Sequence, residues 1–132
     1  MKVERMKWIT RNIVRANPDK LFLFGDNVLK TGFGGQAKEM RGEPNAIGIP
    51  TKETPSRHND AYWTDAEFNR NTLLIDAAFD EMWELWSEIL MMGDEPTIVI
   101  PSDGLGTGLA ELDKRAPKTF AYLQDKIDEL DQ

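Results

Sequence analysis

The chain has 132 residues, enough for one domain with one core. Its 16 basic and 23 acidic residues leave a formal charge of −7, which argues against a broad nucleic-acid surface, because neutralising phosphates needs clustered Lys and Arg. It has no cysteine, which excludes disulfides, thiolate nucleophiles and Cys-type zinc sites.

Met1 to Lys7 lacks the apolar stretch of a signal peptide, and no run reaches membrane-spanning length. The expectation is a soluble cytoplasmic protein with no membrane partner. Val3 to Ile9 is expected as an edge strand. Thr10 to Ala16 reads as a short helix, capped by Thr10 and ended by Asn17-Pro18-Asp19. Lys20 to Gly25 is a strand whose run Leu21-Phe22-Leu23-Phe24 reads as buried on both faces. It continues through Asp26 and Asn27 into a first glycine loop, Gly32-Phe33-Gly34-Gly35. Gln36 to Arg41 is expected to be helical, with its amino end facing that loop.

Asn45 to Lys52 reads as a second central strand, with Pro50 at its end, where no ladder donor is needed. Glu53 to Thr64 is the longest loop. From Asp65 to Met92, Phe68, Ile75, Phe79, Met82, Trp86 and Ile89 form one apolar stripe at helical spacing. Thr64 or Asp65 is expected to cap that helix, and Gly93 to stop it. Thr97 to Pro101 is a further strand, running into a second glycine loop, Gly104-Leu105-Gly106-Thr107-Gly108. Pro117 opens a final helix reaching about Leu130. Strands alternating with helices predict a compact α/β fold of three layers, with a mostly parallel central sheet and helices on both faces, in a single domain over residues 1–132. The loops after Phe24, Ile49 and Ile100 then share one edge and line one cleft.

Loops at the carboxyl ends of such strands are where α/β sheets bind ligands. Glycines there let backbone N–H groups approach an anion. Neither loop carries the Lys-Ser/Thr of a P-loop or the dinucleotide fingerprint. Asp26 and Asn27 can accept from ribose hydroxyls or an adenine amino group; equally, both favour turns and caps. Lys52 ends a strand between the two loops. There it can contact phosphate, or attack a carbonyl if its pKa is lowered, or be an ordinary surface lysine. Tyr62 and Trp63 are candidates for stacking on a base, Trp83 and Trp86 are expected in the core, and Arg115 can reach a diphosphate. His58 is the sole histidine, and Asp60, Asp65, Asp103 and Glu111 show no spacing that singles out a magnesium pair. No metal or cofactor is therefore expected. Gly34-Gly35-Gln36 also matches the tripeptide of peptide release factors, but the acidic charge opposes ribosome binding.

Taken together these residues resemble a macrodomain, the ADP-ribose-binding α/β fold. They are most similar to the terminal ADP-ribose protein glycohydrolase class. Three segments carry the resemblance: Gly32-Phe33-Gly34-Gly35-Gln36-Ala37, Ile49-Pro50-Thr51-Lys52, and Gly106-Thr107-Gly108-Leu109-Ala110-Glu111-Leu112. In that class a lysine attacks the distal ribose and an aspartate assists. Lys52 matches the lysine, whereas the aspartate position holds Ala110, with Glu111 one residue later.

The resemblance implies ADP-ribose or a related nucleotide as ligand. Gly104, Leu105, Gly106, Thr107 and Gly108 would cradle the diphosphate through backbone N–H groups, with Ser102 and Asp103 also among the ligand-binding residues. Asp26 and Asn27 would hold adenosine or a ribose hydroxyl, with Gly34 and Gly35 beside the distal ribose. Lys52 and Glu111 are then the catalytic candidates for releasing ADP-ribose from a modified macromolecule. Two other functions fit the same residues. One is a non-catalytic module that senses or sequesters a nucleotide signal. The other is an interaction protein whose glycine loops are only turns, with an exposed apolar patch around Trp63. Compact chains of this style resemble members encoded in bacterial or bacteriophage genomes.

Overall fold

A computed structural model of the protein describes residues 1–93 and 95–131. Among them the elements run β1 (Val3–Met6), α1 (Arg11–Ala16), β2 (Lys20–Asn27), α2 (Ala37–Met40), β3 (Ala46–Lys52), α3 (Phe68–Met91), β4 (Thr97–Pro101), α4 (Leu112–Arg115) and α5 (Pro117–Leu130). The four strands form one sheet in the order β1-β4-β2-β3, and every neighbouring pair is parallel. No described helix is long and apolar enough to cross a membrane.

Side-chain alternation along the strands builds the layers. Leu21, Leu23, Ile49, Ile98 and Ile100 pack in one core with Ile75, Phe79 and Met82 of α3 and Leu123 and Ile127 of α5. Phe22, Phe24 and Val99 pack on the other face with Ile9, Val14 of α1, and Ala37 and Met40 of α2. The apolar runs of β2 and β4 are continuous because each must serve both layers. The α/β architecture with helices on both faces of a parallel sheet is therefore as the sequence predicts.

Several boundaries differ, each for a physical reason. β3 is an edge strand rather than a central one, and an edge is where Pro50 costs least, since half the backbone groups there have no strand partner. β1 stops at Met6, and the N–H of Ile9 donates instead to Gln36 Oε1 at 3.3 Å. β2 runs on past Gly25, so Asp26 and Asn27 sit on the ladder, with a register shift between them. Trp63 is 4% exposed in the α3 core, its Nε1 donating to Glu53 Oε1 at 3.1 Å. It is neither a stacking surface nor the centre of an exposed patch. Trp83, by contrast, is 39% exposed, edge-on to Trp86.

The helix caps are redistributed. Thr10 caps α1 as expected, accepting from Ile13 N at 3.2 Å. α3 begins at Phe68, behind a 3-10 turn at Asp65–Glu67, and neither Thr64 nor Asp65 caps it. Asp65 caps α5 instead. Its Oδ2 accepts from Lys118 N, and its Oδ1 from Thr119 N and Thr119 Oγ1, all at 2.9 Å. This ties the start of α3 to the start of α5. Burial works against the Asp65 charge, but the hydrogen bonds from Lys118 and Thr119 outweigh it and hold the carboxyl below its ordinary pKa. A folded pKa below the unfolded one adds stability above the unfolded value, and that stability is lost as pH falls through the folded value. Asp65→Ala should therefore cost about 1–2 kcal/mol near neutral pH. The gap to wild type should narrow in acid, as read by urea denaturation across that range.

Candidate functional site

β2 and β4 are neighbours in the sheet, yet their connections leave over opposite faces. The chain after β2 enters α2 on the Phe22 side, and the chain after β4 enters α5 on the Leu21 side. Such a divergence opens a crevice at the carboxyl ends of the strands. A cleft of about 320 Å³ lies there. All four strand ends contribute: Lys7 and Trp8 after β1, Gly25 to Asn27 and the first glycine loop at β2, Thr51, Lys52 and Pro55 at β3, and Asp103 to Ala110 after β4. Of the residues singled out from the sequence, Asp26, Asn27, Gly34, Gly35, Lys52 and Asp103 to Gly108 line it, whereas Ser102 and Glu111 do not.

The first loop is held by charge and by an amide. Asp26 is 7% exposed and accepts from Arg41 through both oxygens, Nη2 to Oδ1 at 2.5 Å and Nε to Oδ2 at 3.2 Å. Arg41 Nη1 also donates to Gly32 O at 3.0 Å, pinning the loop to the strand end. Asn27 Nδ2 donates to Thr31 O at 2.7 Å, and its Oδ1 accepts from Thr31 N at 3.4 Å. Both side chains expected to contact a nucleoside therefore shape the loop, which limits what they can still offer a ligand. Arg41 closes this arrangement from 15 residues away, and nothing in its local sequence marks it.

Gly32 and Gly106 are the points where backbone and close approach demand glycine. Gly32 has φ +111°, and a Cβ there would stand 2.9 Å from Pro55 Cβ; at Gly34 a Cβ would meet only the flexible end of the exposed Leu109, its Cδ1 at 2.7 Å. Gly106 has φ +84°, and a Cβ there would meet Leu112 Cβ at 3.0 Å. The second loop thus rests on α4, with Leu112 N donating to Gly106 O at 2.8 Å. Leu105 anchors it from below, 1% exposed in the α3 core. Among the described residues, none of the backbone N–H groups of Leu105, Gly106, Thr107, Gly108, Leu109 and Ala110 has an acceptor, while Gly104 N and Glu111 N are bonded to Pro101 O and Gly108 O. Six successive backbone donors beside the cleft are thus left without an acceptor among the described residues, an arrangement that can meet an anion without a cationic side chain.

Lys52 lies at the opposite edge of the cleft from β1. It is 8% exposed; its carbonyl accepts from Val28 N at 2.9 Å, but among the described residues its amine has no ion pair or hydrogen bond. Its Nζ stands 4.4 Å from the centre of the Tyr62 ring, and Arg115 Cζ stands 3.6 Å from the same ring. Burial lowers the Lys52 pKa. The charges of Arg57 and Arg115 lower it further, and Glu111 partly opposes them. Glu111 reaches Lys52 only through its field. It takes a left-handed backbone, φ 48°, and pairs with Arg115 at 3.8 Å. His58 is exposed. No group of three or more His, Asp or Glu among the described residues could hold a metal ion. Trp8 and Tyr62 in these roles escape a sequence reading, Trp8 because the pattern places it inside a strand that in fact ends at Met6.

Removing Arg41 leaves the Asp26 carboxylate with Asn27 N, donating to Oδ1 at 2.8 Å, and the water of the cleft as partners. Arg41→Ala should destabilise the protein by about 1–3 kcal/mol, and Asp26→Ala combined with Arg41→Ala by less than the sum of the two single changes, in a denaturation-based double-mutant cycle.

Comparison with protein families matches residues 4–126 to a family of unknown function (DUF7831). No curated protein and no solved structure matches the chain. The matched stretch contains both glycine loops and Lys52. The chain belongs to this family of unknown function, DUF7831.

Proposed function

We propose that the cleft binds ADP-ribose or a closely related nucleotide. The observation that carries this reading is the run of six free N–H groups from Leu105 to Ala110, in the same crevice as the buried, unpaired Lys52. Backbone donors bind a diphosphate regardless of net charge, so an acidic chain can do so locally. The cleft volume, about 320 Å³, falls in the range of small-molecule sites. The resemblance of the two glycine loops and of Ile49-Pro50-Thr51-Lys52 to the terminal ADP-ribose glycohydrolases supplies the identity of the nucleotide.

Hydrolysis is the extension of this reading. Neutral Lys52 Nζ attacks C1″ of the distal ribose, and the bond to the modified target breaks, the target leaving with the electron pair. The amine proton passes to water in this scheme, Glu111 acting only through its field, and a second water then releases the lysine from the sugar. Ala110 favours the other reading, a binding module without turnover. It lines the cleft at the position where the resembled class carries its aspartate, and it cannot move a proton.

ADP-ribose at 100 times its dissociation constant should add about 2.7 kcal/mol, a melting-temperature rise of roughly 10 °C in a thermal-shift assay. The absence of any shift overturns the binding reading. If the protein is a hydrolase, Lys52→Ala should abolish release of ADP-ribose from a modified target while leaving most of the binding intact. The rate should rise with pH through a pKa below that of an ordinary lysine. Arg115→Ala should move that profile toward alkaline pH, since it removes a charge that disfavours the protonated amine.

A further inference from the structure

We propose that Trp8 is the platform on which the nucleobase of the cleft's ligand stacks, an inference that rests on the nucleotide reading above. Trp8 is the aromatic side chain that lines the cleft among the described residues. It is 53% exposed, although the next residue, Ile9, is fully buried. An indole left open at the mouth of a cleft is a surface that a flat, apolar group covers favourably. Trp63 is in the core, the Tyr62 ring is occupied by Lys52 and Arg115, and Phe33, although 93% exposed on the first loop, does not line the cleft.

The strand order gives the inference its geometry. Trp8 follows β1 at one edge of the sheet, and Lys52 ends β3 at the other, three strand spacings away, about 14 Å. The N–H-lined loop after β4 lies between them. Base, diphosphate and terminal sugar follow one another along that line in a nucleotide diphosphate sugar. The side chains at the end of β2 that could read a base edge are committed. Asp26 is paired with Arg41, and Asn27 is bonded to Thr31. Affinity for the base therefore comes from its π-face, and the ligand lies with its base at β1 and its sugar at Lys52.

The test is titration of ADP-ribose into wild type and into Trp8→Ala, Trp8→Phe and Trp8→Leu, followed by calorimetry and intrinsic fluorescence. Trp8→Ala should weaken binding roughly 5- to 150-fold, Phe should restore most of it, and Leu should not. Bound ligand should quench wild-type fluorescence, and the quench should disappear in Trp8→Phe while binding remains. Because Trp8 is half open, the ligand-free melting temperatures should stay close to wild type. Unchanged affinity in Trp8→Ala, restoration by Leu as full as by Phe, or a quench that survives in Trp8→Phe each overturns the stacking role while leaving the nucleotide reading intact. Wild type that does not bind ADP-ribose overturns that reading, and this inference with it.

Discussion

A parallel sheet covered on both faces must carry every connection back over one layer or the other. In this protein the two inner strands, β4 and β2, send their chains in opposite directions, and the site follows from that divergence. The gap between the departing chains cannot be filled by either helix layer. It is floored by strand ends and walled by the two glycine loops. The loops meet through Leu109 against Gly34 without closing the cleft.

The polar groups around that gap divide into two kinds. Asp26, Arg41, Asn27 and Thr31 satisfy one another and make the first loop a fixed wall. The N–H run of the second loop and the amine of Lys52 have no partner among the described residues. Loop rigidity therefore comes from the β2 side, and capacity for a ligand from the β4 and β3 sides. A buried lysine without a carboxylate partner is costly. Here the Tyr62 ring face lies against it, and a lowered pKa makes the neutral amine easier to reach.

Much of the fold is legible in the chain because it rests on local pattern. The runs Leu21 to Phe24 and Ile98 to Ile100 announce strands buried on both faces, and Pro117 announces the start of α5. The glycine loops are legible for the same reason, since a strand followed by glycines is a feature of neighbouring residues. Asp65 shows where this stops. Its position before an apolar helical stripe reads as a cap for α3, but its carboxylate bonds residues more than fifty positions later. Short-range capping competes with a long-range partner, and only packing decides between them.

The sequence by itself determined the alternation of strands and helices, the two glycine loops and the place of Lys52 at a strand end, because each depends on residues adjacent in the chain. The tertiary structure alone decided the strand order β1-β4-β2-β3, and with it that Trp8 and Lys52 stand at opposite ends of one cleft. It alone decided that Asp26 answers Arg41, that Trp63 is core, and that Lys52 lies against Tyr62. Those outcomes depend on which distant groups the two helix layers press together, and no local pattern of charge or hydropathy encodes that choice.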